Sequence, residues 1–187
     1  KVLAGRRGYV QADAANVFDR LFNGRCARCM EVGCNCHARR RFAELKDTDV
    51  RVAYPLRLYR RLYRIERLAK LKELSPDEVA SLRQQRSQPI LDRLKDWLES
   101  VLLREPPRSA LTQACRYVKN HWQALTRFVT DGRLDMDNNH CERQLRAIAL
   151  GRKNFLFFGS HPAAERGAAI YSVLRTCALH GVDPVAY

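Results

Sequence analysis

No run of apolar residues in this chain is long enough to cross a bilayer, and Lys1-Val2-Leu3-Ala4-Gly5-Arg6-Arg7 lacks the apolar stretch and cleavage site of a secretory signal. These absences argue against a membrane-spanning or exported class and leave cytoplasmic residence as the default. There is no initiator methionine, so the sequence reads as cut from something longer. Acids are scarce: 20 Asp and Glu stand against 34 Lys and Arg, a net charge of +14. Such an imbalance creates a field that draws polyanions. Nucleic acid is the first partner class and an anionic membrane surface the second; the alternative is a basic soluble protein with no specific anion. The seven cysteines are an odd number, which excludes a fully paired disulfide framework and fits a reducing compartment. No internal repeat or low-complexity tract is present. With 187 residues, 46% of them apolar, the chain can build a core for one domain, or for a domain with an appendage.

Residues 8–12 (Gly-Tyr-Val-Gln-Ala) read as a short strand ending at Asp13. Val17, Phe18, Leu21 and Phe22 then fall at helical spacing, and Asn23-Gly24 stops that helix. Residues 28–34 read as a second strand, and His37 to Leu45 as a basic helix. From about residue 51 the pattern is helical, with Leu56, Tyr59, Leu62, Tyr63, Leu68 and Leu71 as one apolar stripe opposite Arg and Lys. Ser75-Pro76-Asp77-Glu78 starts another helix, with a capping Ser, a first-turn Pro and acids at the positive end of the dipole. It is expected to reach Leu103, kinked or divided at Pro89. Pro106-Pro107 breaks the chain, and Ser109 opens a helix expected to end at Asp131-Gly132. Residues 137–149 read as a helix, 150–160 as a glycine-bounded loop around Phe155-Leu156-Phe157-Phe158, and 162–179 as the last helix.

Two places invite chemistry. Asp13 follows a strand, where side chains face a crevice and can hold metal, but taken alone it better suits an N-cap for the next helix. In 137–154, Asn139, Glu142 and Arg146 share a helix face, while Leu145 and Ile148 lie off it and can pack. A carboxylate among amides and guanidinium groups suits a divalent cation on a phosphate backbone; the competing reading is a solvated face with a Glu–Arg pair. Arg152 and Lys153, in the glycine-started loop, extend the basic surface.

The run Asp137-Asn138-Asn139, Glu142-Arg143, Leu145-Arg146, Ala149-Leu150-Gly151-Arg152-Lys153-Asn154 and Gly159-Ser160 resembles the C-terminal signature of transposases of the insertion-sequence sixty-six family. Gly8-Tyr9-Val10-Gln11-Ala12-Asp13 resembles that family's segment around its second catalytic aspartate, and Gly33-Cys34, His37-Ala38-Arg39-Arg40 and Phe42 its next block. Ser109-Ala110-Leu111, Trp122 with Ala124-Leu125, Asp131-Gly132-Arg133 and Ala169-Ile170-Tyr171-Ser172 continue the likeness in order along nearly the whole chain.

The resemblance implies an α/β, predominantly helical chain: part of a ribonuclease-H-like core at 1–50, a large helical insertion at 51–130, and the C-terminal catalytic helix, loop and closing helix at 131–187. It implies a DDE transposase, a polynucleotidyl transferase and endonuclease, in which two aspartates and a glutamate bind Mg²⁺ or Mn²⁺. Asp13 is then the second acid and Glu142 the third, with the first upstream of Lys1, so this chain alone is expected to be inactive. Asn138, Asn139, Arg143, Arg146, Arg152, Lys153, Arg39 and Arg40 are the expected DNA contacts. The implied partners are transposon ends and target DNA, further copies of the chain in the active complex, and accessory proteins of the same element, in a bacterial cytoplasm at the nucleoid.

Cys26, Cys29, Cys34, Cys36 and His37 offer ligands enough for a tetrahedral zinc; the competing reading packs Cys34 beside the strand. Cys36 and Asn35 depart from the family pattern, in which a small residue and Trp are usual. Trp97 and Trp122 read as packing residues, and Phe155 to Phe158 as core, the competing reading being a DNA-contacting loop. The arginine-rich stretch 57–67 is either a DNA contact or a solvated face whose stems cover apolar surface. The rival to the enzyme is a non-catalytic basic DNA-binding or dimerisation module, with or without zinc.

Overall fold

Alternating apolar and polar residues form strands β1 (Gly8–Ala12) and β2 (Cys29–Gly33) where the sequence predicts them. In the computed structural model, which describes residues 7–13, 22, 29–155 and 157–187, the two pair in parallel, with Gly8 opposite Cys29 and Ala12 opposite Gly33. The helix expected over 14–22 lies outside the described residues except for Phe22, which is helical. Among the described residues this pair is the whole sheet, and the rest is predominantly helical.

Helix α1 (Asn35–Ala43) starts directly after β2 and buries Ala38 and Phe42. Helix α2 (Ala53–Leu71) buries Pro55, Leu58, Tyr59, Leu62 and Ala69. Of the expected stripe, Tyr59 and Leu62 are buried and Leu56, Tyr63 and Leu68 half-buried, with Leu58 added to the seam; Leu71, in the last turn, departs from it and is 76% exposed. Helix α3 (Pro76–Arg86) opens on a complete capping box, in which Ser75 Oγ accepts from the Glu78 N–H and Glu78 accepts from the Ser75 N–H. Pro89 divides the next stretch as expected. It sits in the first turn of α4 (Gln88–Arg104), where its missing N–H costs nothing, and Ser87 is the joint.

Helix α5 (Ala110–Asn120) is capped by Ser109. It ends at His121 rather than running to Asp131; a short helix α6 (Trp122–Thr126) and a 3-10 turn (Arg127–Thr130) complete that stretch. The His121 ring, tilted against Tyr117, bonds the Tyr117 carbonyl at 2.8 Å through Nδ1, a local contact that marks the break. Phe42, Tyr59, Leu62, Leu94, Val118 and Phe128 anchor one core that joins α1, α2, α4 and α5. Trp97 packs edge-on against Phe42 at 5.8 Å, a packing role as read from sequence.

The chain divides into two compact units, Lys1–Asn138 and Asn139–Tyr187. The second contains α7 (Asn139–Phe155) and α8 (His161–His180). Here the expected loop at 150–160 is corrected: α7 runs through Gly151 to Phe155. Glycine in a helix interior costs about 1 kcal/mol relative to Ala but need not end the helix. The apolar centre expected at 155–158 is likewise not all core, since Phe157 is 74% exposed. Phe158 packs beside Gly167, where any β-carbon would strike its ring at 2.4 Å.

Candidate functional site

A parallel strand delivers its last residues to a crevice at its carboxyl end. There Ala12 is buried, Asp13 follows half-buried, and the partner strand ends in Gly33. A β-carbon on Gly33 would lie 3.0–3.2 Å from atoms of Leu125 and Ala124, so the missing side chain lets α6 approach β2 closely. Arg127 reaches back to donate to the Glu31 carbonyl of β2.

The segment between the 3-10 turn and α7 is tied to this strand end. Gln11 donates to the Asp135 carbonyl at 2.9 Å. Asn35 is 1% exposed, and its side-chain amide donates to the Leu125 and Met136 carbonyls at 2.8 and 3.2 Å. Its backbone N–H also reaches Met136 O, at 3.1 Å. Tyr63, on α2, donates to Asp137 Oδ2 at 2.8 Å. Burial first, then the adjoining Asp137 carboxylate, pushes the Tyr63 phenol far above its ordinary value, so it stays protonated and donating. Asn138, the last residue of this unit, has a buried side-chain oxygen with no hydrogen-bond partner among the described residues.

The Asp131-Gly132-Arg133 motif is structural. The Asp131 carboxylate accepts from the Arg133 N–H at 2.9 Å and from its guanidinium at 2.6 Å, which holds the carboxyl down at about 2. A β-carbon on Gly132 would sit 1.9 Å from Pro76 O, so only glycine permits this turn to lie on the start of α3. From α3, the buried Arg83 clamps the same region, donating to the Phe128 and Asp131 carbonyls at 2.8 and 3.0 Å and pairing with Glu66 at 2.6 Å. Asn35 and Arg83 escaped the sequence reading; departure from the family pattern was the one signal for Asn35, and Arg83 had none.

The neighbourhood of Asp13 is polar. Arg41 on α1 lies 4.7 Å over the Tyr117 ring. Burial raises the Tyr117 phenol; Arg41 opposes that rise, and the nearby charges of Cys34, Asp13 and Glu31 add to it. Arg39 and Arg40 are exposed on α1. Cys34 is 2% exposed and its thiol is raised by burial, opposed by backbone hydrogen bonds from Asn138, His37 and Cys36. Cys26 lies outside the described residues; among those described, Cys29, Cys34, Cys36 and His37 form no group of three that could hold a metal ion, and no other such group is present. All six described cysteines are free thiols.

In the second unit, Asn139, Glu142, Arg143 and Arg146 fall on one face of α7, with Asn139 and Glu142 half-buried and the arginines exposed. Continuing the helix to Phe155 adds Lys153 to that face and turns Arg152 off it. On another side of α7, the Gln144 side-chain oxygen Oε1 accepts from the Arg175 guanidinium of α8 at 2.6 and 3.0 Å. Ile148 is half-buried, but Leu145, expected to pack, is 58% exposed. No helix among the described residues is long and apolar enough to cross a membrane.

Three curated relatives span this sequence. The protein y4hP of Sinorhizobium fredii, described as uncharacterized, is 32% identical over all of this chain and 36% of its own length. Proteins y4qI and y4jD of the same organism, also described as uncharacterized, are each 33% identical, over 98% and 82% of this chain and 35% and 30% of their own lengths. The chain therefore spans about a third of the curated relatives it matches. No solved structure matches. The model of the transposase IS66 family matches residues 1–166, taking in both the strand-end segment and the α7 signature, and the chain belongs to that family.

Proposed function

We propose that this chain is part of the catalytic domain of a DDE-type transposase, which cleaves transposon ends and joins their 3′-OH ends to target DNA with the help of divalent metal. Membership of a transposase family makes transposition the process it belongs to. The observation that carries the finer reading is Asp13 at the carboxyl end of a parallel strand, with the lead into α7 fastened to that same end by Gln11 and Asn35. A parallel pair is marginal alone and is normally covered on both faces, which fits a larger ribonuclease-H-like sheet in the parent protein.

In this reading Asp13 and Glu142 each supply a carboxylate, the hard oxygen ligand that Mg²⁺ and Mn²⁺ prefer. They are two donors of a larger set. Bound metal would activate the attacking hydroxyl and stabilise the leaving oxygen of an in-line displacement at phosphorus. Asn138, Asn139, Arg143, Arg146, Arg152, Lys153, Arg39 and Arg40 hold backbone phosphates, with guanidinium forks matched to phosphate oxygens. Copies of the chain and accessory proteins of the element complete the assembly, in a bacterial cytoplasm.

Paramagnetic Mn²⁺ tests the metal assignment directly. Titrated into the chain, it should broaden the backbone amide signals around Asp13 and around Glu142, and Asp13→Asn and Glu142→Gln should each weaken that effect. Broadening that ignores both substitutions rejects the assignment. The net charge of +14 would then favour a second reading, a basic DNA-binding or dimerisation module without catalysis.

A further inference from the structure

Several arginines of the first unit are used within it. Arg51 pairs with Asp49 and Glu105, Arg83 with Glu66 and Arg133 with Asp131, while Arg57 stacks on Tyr54. Arg61, Arg64, Arg86 and Arg93 are different. Their side chains form no hydrogen bond or ion pair among the described residues, yet all four line one groove of about 420 Å³. Arg61 and Arg64 stand one turn apart on α2, Arg86 ends α3, and Arg93 follows Pro89 by one turn on α4. No carboxylate lines the groove.

Converging four like charges without a counter-charge opposes folding, so the arrangement is explained by an anion that the groove receives. Guanidinium groups are the side chains best matched to phosphate, through paired N–H donors in a fixed fork. Pro89 and Ile90 add an apolar wall along which arginine stems can lie. No aromatic ring lines the groove to stack a base. That disfavours single strands, whose capture relies on stacking, and favours sequence-independent contact with a duplex backbone.

We propose that this groove, where α2, α3 and α4 meet, docks the phosphodiester backbone of double-stranded DNA. It is a positioning surface built from residues other than the expected contacts on α1 and α7. The proposal rests on the reading of the chain as a DNA-acting transposase.

The test is fluorescence anisotropy of the full chain with a labelled duplex across a salt series. Arg61, Arg64, Arg86 and Arg93 are changed together to Gln, and a control changes Arg104, Arg108, Arg116 and Lys119 to Gln, removing the same charge elsewhere on the unit. The unaltered chain should lose affinity steeply with salt, at about 0.9 of a log–log slope unit per phosphate neutralised. The groove variant should flatten that slope by about 3.6 units, about 0.9 for each of the four arginines, and the control by less than about 1. Equal flattening in both would overturn the groove as a site and leave only a diffuse field. A groove variant that binds like the unaltered chain rejects the groove while DNA binding stands elsewhere. An unaltered chain with no affinity for duplex rejects the groove and the DNA-acting reading together. A single strand that binds as tightly, through the same arginines, overturns the duplex assignment. Should the fourfold variant melt early, Arg61→Gln and Arg93→Gln singly, each expected to remove about one slope unit, carry the same decision.

Discussion

Phe42, Tyr59, Leu62 and Leu94 of the first unit are at most 1% exposed, whereas Ile170, Val173 and Leu174 of the second are 41–59% exposed. Both sets are apolar residues on well-formed helices. In the first unit each apolar face meets two or more further elements, so side chains are enclosed from several directions. In the second unit Cys177 is the sole buried residue among those described. Helical periodicity therefore fixes where a face points; whether that face becomes core depends on how many other elements cover it.

That contrast can be broken most sharply by truncation. Phe42→Ala should cost about 3–5 kcal/mol in urea unfolding, and Ile170→Ala no more than about 0.5 kcal/mol. Similar costs at the two sites would erase the distinction. The next largest effect belongs to arginine ties. Arg83→Ala strands Glu66 and two carbonyls and should cost about 3 kcal/mol, whereas removing Arg175 from Gln144 should cost under about 1 kcal/mol. Thiol labelling sharpens the comparison without mutation. Cys141 is exposed on α7, while Cys115 is 0% exposed with its thiol pushed up by burial to about 12. Native-state alkylation followed by mass spectrometry should modify Cys141 at least about a hundredfold faster than Cys34 or Cys115, which react only on opening. Comparable rates would mean that the first unit opens so readily that burial gives its thiols no protection.

The smallest expected effect is on acid stability. The Asp131 carboxyl is held down from 3.8 to about 2 by the Arg133 guanidinium and N–H. A lowered folded-state value contributes stability that is complete above the unfolded-state value and is lost as pH falls towards the folded-state one. Asp131→Asn should thus melt earlier than the unaltered chain at pH 6, with the gap closing between about pH 4 and pH 2. A gap that persists below pH 2 would show that the carboxylate charge is not what holds the turn.

Much of the local structure was legible in the sequence. Ser75 and Ser109 announced helix starts, because a side-chain cap acts within three residues of itself. Pro89 marked a division that the missing N–H imposes wherever it falls. Gly151 misled, since glycine permits a stop without requiring one. His121 was silent, because its break follows from a ring–carbonyl contact that the pattern of apolar residues does not encode. At the candidate site, motifs singled out Asp13 and Glu142 for the role proposed above, whereas nothing in the local sequence pointed to the ties that organise the strand end. Asn35 reaches carbonyls 90 and 101 residues away, and Arg83 carbonyls 45 and 48 away. Partners so distant are chosen by the finished packing rather than by neighbouring sequence.

The fastening of residues 131–138 has a practical side. Its ties come from β1, α1, α2 and α3, while Pro106, Pro107 and Arg108 form an exposed turn that contributes none of them. Foreign sequence is best tolerated at exposed tips whose backbone has only local ties; here the Pro106 and Arg108 carbonyls accept from the Ser109 N–H and the Gln113 side chain, both within five residues. That turn is the natural graft point for a reporter domain or an affinity handle, attached to the helical body while the strand end keeps its ties.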